Sequence, residues 1–274
     1  MERYEAEVVY DAGRERCVDF ILALGARYER LEARVEKLEE QLRRSSRNSS
    51  LPPSQDPPSA PPRPRRPGTD PRPAMTALTG TPGLLEQAVS YTLATAALAT
   101  PRLLPQATPC AGWDLRTLVL HVSDSLGVLT EAMRTGQVGP GPAPGGKPDT
   151  EPEPVACLRR RARALLGACA AAEAGERPVA IGDRELTVSV VAAAGAIEIA
   201  VHGWDISAAC GVRRPVPPGL AAALLPIAPR LIPPASRAGL FADPVPVPAL
   251  ASPGDRLVAF LGRPPRLPAA SGTG

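Results

Sequence analysis

The chain of 274 residues contains two histidines, His121 and His202, and each falls in a stretch with helical apolar spacing. His202 follows Glu198 by four residues, so on a helix both side chains leave one face about 6 Å apart along the axis. Glu198 is the sole charged residue between Val188 and Val201, where an uncompensated carboxylate would be costly to bury. A helix carrying this Glu–His pair beside another carrying a histidine can set two nitrogens and one oxygen round a divalent ion. Such a set leaves a coordination position open for water or substrate, which suits Lewis-acid chemistry. The spacing alone leaves other readings open. His121 and His202 could be satisfied core histidines, Glu198 and His202 a helix-surface pair, or the three together an oxygen-activating iron centre.

A repeated tripeptide flanks the histidines. Gly112-Trp113-Asp114 precedes His121, and Gly203-Trp204-Asp205 follows His202 directly; Trp113 and Trp204 are the two tryptophans of the chain. Asp205 is placed to accept a proton from a ligand imidazole, and Asp114 to cap a helix. Trp113 and Trp204 are expected to surround the histidines, with core packing as the plainer reading of both. Cys110, close to Trp113, is either a buried structural cysteine or a reactive thiol. No residue is assigned a catalytic role. Five cysteines with no CxxC pair argue for reduced thiols in a cytoplasmic protein.

These residues need helices to position them. Leu84, Ala88, Tyr91, Thr95 and Leu98 share a face of a helix over about 83–99. Asp114 caps a second, with Leu115, Leu118, Val119, Val122, Leu126 and Leu129 as its apolar stripe. A Gly/Pro-rich loop over 136–154 leads to a third helix, 155–172, with Arg159 to Arg163 expected on its outer side. Alternating apolar residues round Gly182-Asp183 predict a short hairpin. A fourth helix runs over 189–210 and stops at Gly211. A helix near 219–229, a Pro-rich crossing and a short helix near 253–261 complete the C-terminal part. Four main helices with one long crossover fit an all-α bundle.

The first 74 residues differ in kind. Leu24, Tyr28, Leu31, Val35, Leu38 and Leu42 form a short coiled-coil seam within residues 1–42, and weak self-association through residues 24–42 is expected. Ten prolines between Leu51 and Pro73 exclude helix and sheet over residues 43–74 and predict a disordered linker. Seven arginines against two aspartates make this stretch basic, while the rest of the chain is nearly neutral. A nucleic-acid partner is therefore not expected, although the basic arm keeps a DNA-associated function as an alternative. No signal peptide is visible in MERYEAE. The apolar run from Val188 to Val201 is too short to span a bilayer, and no membrane partner is expected.

Two resemblances add to this reading. YDAGRERCVDFILALGARYERLEARVEKLEEQLRR with SRNSSLPPSQDPP, about residues 8–66, resembles the N-terminal region of certain insertion-sequence transposases, without the catalytic domain that follows there. Residues 75–265 then form a second piece, for which Met75 is the expected start, and residues 266–274 a disordered tail. TPCAGWDLRTLVLHV, EIAVHGWDISAACG and VPVPALASPGDRLVAFLGRPP resemble, in that order, the DinB-like family that contains mycothiol-dependent maleylpyruvate isomerase. The resemblance covers about residues 78–265 and implies a DinB-like four-helix bundle in which His121, Glu198 and His202 hold a divalent metal, zinc foremost. It also implies mycothiol or a similar thiol as cosubstrate, an electrophilic small molecule as partner, and S-transfer or isomerisation as the reaction. The family's isomerase uses an arginine from its C-terminal part; Arg256 and Arg263 are candidates by position alone. A metal-binding bundle without catalysis is the alternative.

Overall fold

A computed structural model describes residues 15–22, 37, 81–139, 153–171, 177–182, 184–232, 234, 237 and 241–265. The coiled-coil seam from Leu24 to Leu42, the Pro-rich linker and the tail lie outside the described residues, Lys37 excepted. A helix α1 is described over residues 15–22. It is followed by α2 (Thr81–Ala96), α3 (Leu115–Thr135), β1 (Gln137–Val138), α4 (Pro154–Ala171), β2 (Pro178–Ile181) and β3 (Arg184–Thr187). The chain continues through α5 (Val188–Ala209), α6 (Pro218–Leu224), α7 (Ala228–Leu231) and α8 (Pro253–Phe260). The all-α DinB-like bundle is the architecture observed, with a small sheet beside it.

Four helices form a ring: α2 packs against α5 and α4, and α3 packs against the same two. α5 is central, buried on nearly every side from Val188 to Ser207, as expected of a helix that is apolar all round. Glycine sets how closely its neighbours come. A methyl group at Gly203 would run into Thr92 Oγ1 and the Tyr91 ring of α2, and one at Gly195 into Leu129 of α3. The Thr92 hydroxyl donates to the Ile199 carbonyl at 2.7 Å, fastening α2 to α5. The apolar run first read as too short for a membrane continues into a helix of 22 residues. It is long and apolar enough to cross a bilayer, yet it is covered by the other helices and carries Glu198, His202 and Asp205 inside. It is the core of the bundle.

Local signals explain the boundaries. Asp114 is extended and accepts from Thr117 N at 2.8 Å, opening α3, whose predicted stripe is wholly buried. α3 ends at Gly136, left-handed at φ +70°, with its N–H on the Ala132 carbonyl. The predicted hairpin is β2–β3, antiparallel, turning at Gly182 (φ +61°). Thr187 ends β3 and caps α5 by accepting from Val190 N. β1, which the sequence did not announce, pairs in parallel with β2.

Two expectations need correction. The arginine run of α4 does not lie wholly outside: Arg161 turns inward and donates to Asp124 Oδ1 at 2.8 Å and the Ser123 carbonyl at 3.0 Å. The buried Asp124 carboxylate supplies the reason. The helix expected over 219–229 is two, α6 and α7, broken at Leu225–Ile227, where Pro226 removes a donor. α1 packs on the core of the bundle: Cys17, Phe20 and Ile21 are buried, and the Phe20 ring lies 5.7 Å from that of Phe241.

Candidate metal centre

Each residue of the site is set by its element. α3 presents His121, and α5 presents Glu198 and His202 one turn apart, with Asp205 a further turn along. The loop before α3 is folded by Thr108, whose hydroxyl donates to Trp113 O (3.0 Å) and accepts from Cys110 N (3.1 Å). Gly112, at φ +79°, makes the turn that brings Trp113 over the histidines. Arg263 follows α8, held by Arg263 N on the Val258 carbonyl at 2.9 Å.

The three residues read from the sequence meet. Glu198 Oε1 lies 2.8 Å from His121 Nε2 and 3.2 Å from His202 Nε2. On its other side, His202 Nδ1 lies 3.1 Å from Asp205 Oδ2. Arg263 Nη2 donates to that same oxygen at 2.9 Å, and Nε to Asp205 Oδ1 at 3.3 Å. A continuous polar chain thus runs His121–Glu198–His202–Asp205–Arg263 through a buried environment. Cys110 Sγ adjoins it, 3.3 Å from Asp205 Oδ2, 3.8 Å from His202 Nδ1 and 3.6 Å from Arg263 Nη2. The Trp113 ring covers both imidazoles, tilted at 4.8 Å from His121 and nearly parallel to His202 at 6.4 Å.

Charges along this chain stabilise one another. Burial alone would raise the Glu198 carboxyl, but the His202 charge and the hydrogen bonds from both histidines hold it well below the usual carboxylate range. Burial likewise opposes a charged His202; the Glu198 charge and the bond to Asp205 outweigh it, and His202 titrates well above an ordinary histidine. Asp205 is held low against its burial by the Arg263 and His202 charges, and burial lowers Arg263 less than Asp205 raises it. His121 is the exception: burial dominates and favours the neutral ring. Two anions, Glu198 and Asp205, are therefore balanced by two cations, His202 and Arg263. His121 Nε2–H donates to Glu198, and its buried Nδ1 has no hydrogen-bond partner among the described residues.

Sequence reasoning met the structure unevenly here. Asp205 stands beside His202 as read, and Asp114 caps α3. Trp204 does not join the site: two residues past His202 it points to the opposite side of α5, lining a surface cavity with Arg213, Arg214 and Asp255. That corrects the expectation that both tryptophans surround the histidines; an offset of two residues is a rotation of about 200° on a helix. Of the two arginine candidates, Arg263 reaches the site and Arg256 is exposed on α8. Among the described residues two groups each have their possible ligand atoms within 4.8 Å of one another, His121–Glu198–His202 and Cys110–His202–Asp205. The second shares His202, and its Asp205 is already engaged by Arg263, so the first is the better cation site.

Residues 85–207 match the family model described as mycothiol maleylpyruvate isomerase N-terminal domain, so this segment fits the DinB-like, mycothiol-associated family. Residues 3–76 match a family of unknown function (DUF6444). No curated protein and no solved structure matches the chain.

Proposed function

We propose that His121 Nε2, Glu198 Oε1 and His202 Nε2 hold one divalent ion, zinc foremost, and that the bundle uses it with mycothiol or a similar thiol in S-transfer or isomerisation. The observation that carries this reading is the convergence of two imidazoles on one buried carboxylate oxygen. The donor set fits. Donors round a tetrahedral zinc are ~3.3 Å apart at the usual bond lengths. The 3.2 Å contact of Glu198 with His202 already has that spacing, and the 2.8 Å contact with His121 needs to open by about half an ångström. The ion would supply Lewis acidity that keeps a small thiol ionised near neutral pH.

The chain's own residues set the conditions. Asp205 holds the proton on His202 Nδ1, which directs the Nε2 lone pair towards the site once the Nε2 proton leaves. Arg263 keeps Asp205 ionised and in place. Glu198 brings the negative charge that a cation requires. Trp113 shields both imidazoles from water. Residues 8–66 we read as a transposase-like fragment with no transposase activity of its own.

The test is thiol-dependent turnover by the zinc-loaded full chain, using maleylpyruvate with mycothiol or glutathione. Isomerisation should need both zinc and thiol, run faster with mycothiol, and slow in Glu198→Gln. Zinc binding with no reaction by any thiol would replace this reading with a binding module.

A further inference from the structure

Among the described residues, three side chains hold buried nitrogen or oxygen atoms without a hydrogen-bond partner: His121 at Nδ1, Ser125 at Oγ, and Arg237 at Nε and Nη1. His121 and Ser125 stand one turn apart on α3 and share a face. A helical side chain leans over the turn that precedes it, which places the Ser125 hydroxyl over the turn that carries His121. His121 is 7% exposed and Ser125 0%, so bulk water satisfies neither atom. The polar groups between them and Ser125 are already engaged: Ser123 Oγ donates to the Val119 carbonyl at 2.9 Å, and Asp124 Oδ1 accepts from Arg161 at 2.8 Å. The two histidines of the site therefore differ. His202 Nδ1 faces Asp205 at 3.1 Å, whereas His121 Nδ1 has no such support. An imidazole that binds a metal through Nε2 carries its ring proton on Nδ1, and that N–H needs an acceptor. Left bare in a buried site, it would weaken binding by the cost of an unpaired donor. In the structure His121 keeps its proton on Nε2, towards Glu198 Oε1, which is the tautomer a metal cannot use. A serine hydroxyl serves both tautomers, since it donates to a bare ring nitrogen and accepts from a ring N–H.

We propose that Ser125 is the positioning residue of His121: when the site holds its ion, the Ser125 hydroxyl turns about χ1 and accepts from His121 Nδ1–H, fixing the tautomer that offers Nε2 to the metal. It would do for His121 what Asp205 does for His202. The inference rests on the reading that His121, Glu198 and His202 hold a divalent ion. Ser125→Ala in the full chain tests it by three measurements. Zinc affinity, read by competition with a chromophoric chelator, should fall about tenfold to a hundredfold, the effect of removing the partner of a ligand histidine. The urea midpoint of the metal-free chain should stay level or rise, because the substitution deletes an unpartnered buried hydroxyl and adds a better helix former. Heteronuclear NMR of the zinc-loaded protein reads the ring N–H groups of the chain's two histidines. The His121 Nδ1–H signal should shift and exchange faster with solvent in Ser125→Ala, while that of His202, held by Asp205, stays in place. Zinc affinity within about twofold of the parent, or an unchanged His121 signal, overturns the proposal and leaves the metal reading standing. A metal-free midpoint that falls would make Ser125 a packing residue and overturns it as well. A parent chain that takes up no zinc removes the metal reading and this proposal together.

Discussion

Asp205→Asn is the substitution whose effect the structure specifies most fully. Asp205 is wholly buried and takes charge-assisted bonds from Arg263 at 2.9 and 3.3 Å and from His202 at 3.1 Å. The asparagine keeps the shape and one acceptor but removes the charge, leaving a largely buried Arg263 with no anion beside it. Breaking such a pair from one side costs about 3–5 kcal/mol. Arg263→Met should cost less, about 2–3 kcal/mol, because Asp205 retains the His202 cation as a partner. The double variant Asp205→Asn/Arg263→Met should lose less than the sum of the two by about 2 kcal/mol, since neither charge is then stranded. The assay is urea unfolding with chelator present, followed by circular dichroism. In the same protein, zinc affinity should fall about tenfold to a hundredfold, the usual effect of removing the partner of a ligand histidine. A cost below about 1 kcal/mol for Asp205→Asn, or strictly additive single costs, would refute the reasoning.

Two further outcomes follow from packing and charge. Gly203→Ala should destabilise the fold by about 1–3 kcal/mol, read as a lower urea midpoint, because its methyl group collides with Thr92 and Tyr91. The stability of the metal-free chain should depend on pH through Glu198 and His202. Because Glu198 is held low, its contribution is present above about pH 4.5 and lost as pH falls through its lowered value. Because His202 is raised, its contribution is full below about pH 6.5 and lost as pH rises through the raised value. Titrating the urea midpoint from acid to alkaline pH should therefore show both limbs, the alkaline one missing in His202→Gln.

How much of this was legible in the sequence varies with the range of the interaction involved. The meeting of His121, Glu198 and His202 was legible because the chain is economical: two histidines and one charged residue in a long apolar run leave little choice. The Asp114 cap and the turn at Gly182 were legible because each is decided within a few residues. The Glu198–His202–Asp205 row was legible as spacing on one helix. The fate of the two Gly-Trp-Asp copies was not, since the same tripeptide sits before a helix in one case and inside it in the other. Trp113 consequently meets the histidines and Trp204 turns away. The inward turn of Arg161 depends on Asp124 of another helix, and no periodicity in an arginine run marks it. Arg263 is 58 residues from Asp205 in sequence, and the docking of α1 joins segments with no shared pattern. Those contacts are tertiary and leave no local trace.

The central claim is that His121, Glu198 and His202 form one cation site. Metal analysis of the full chain after equilibrium dialysis against zinc, compared with His121→Ala/His202→Ala, tests it directly. The account predicts about one zinc per chain in the parent protein and almost none in the double variant, because one carboxylate cannot replace a three-donor set. Full occupancy in the double variant, or none in the parent, would contradict it.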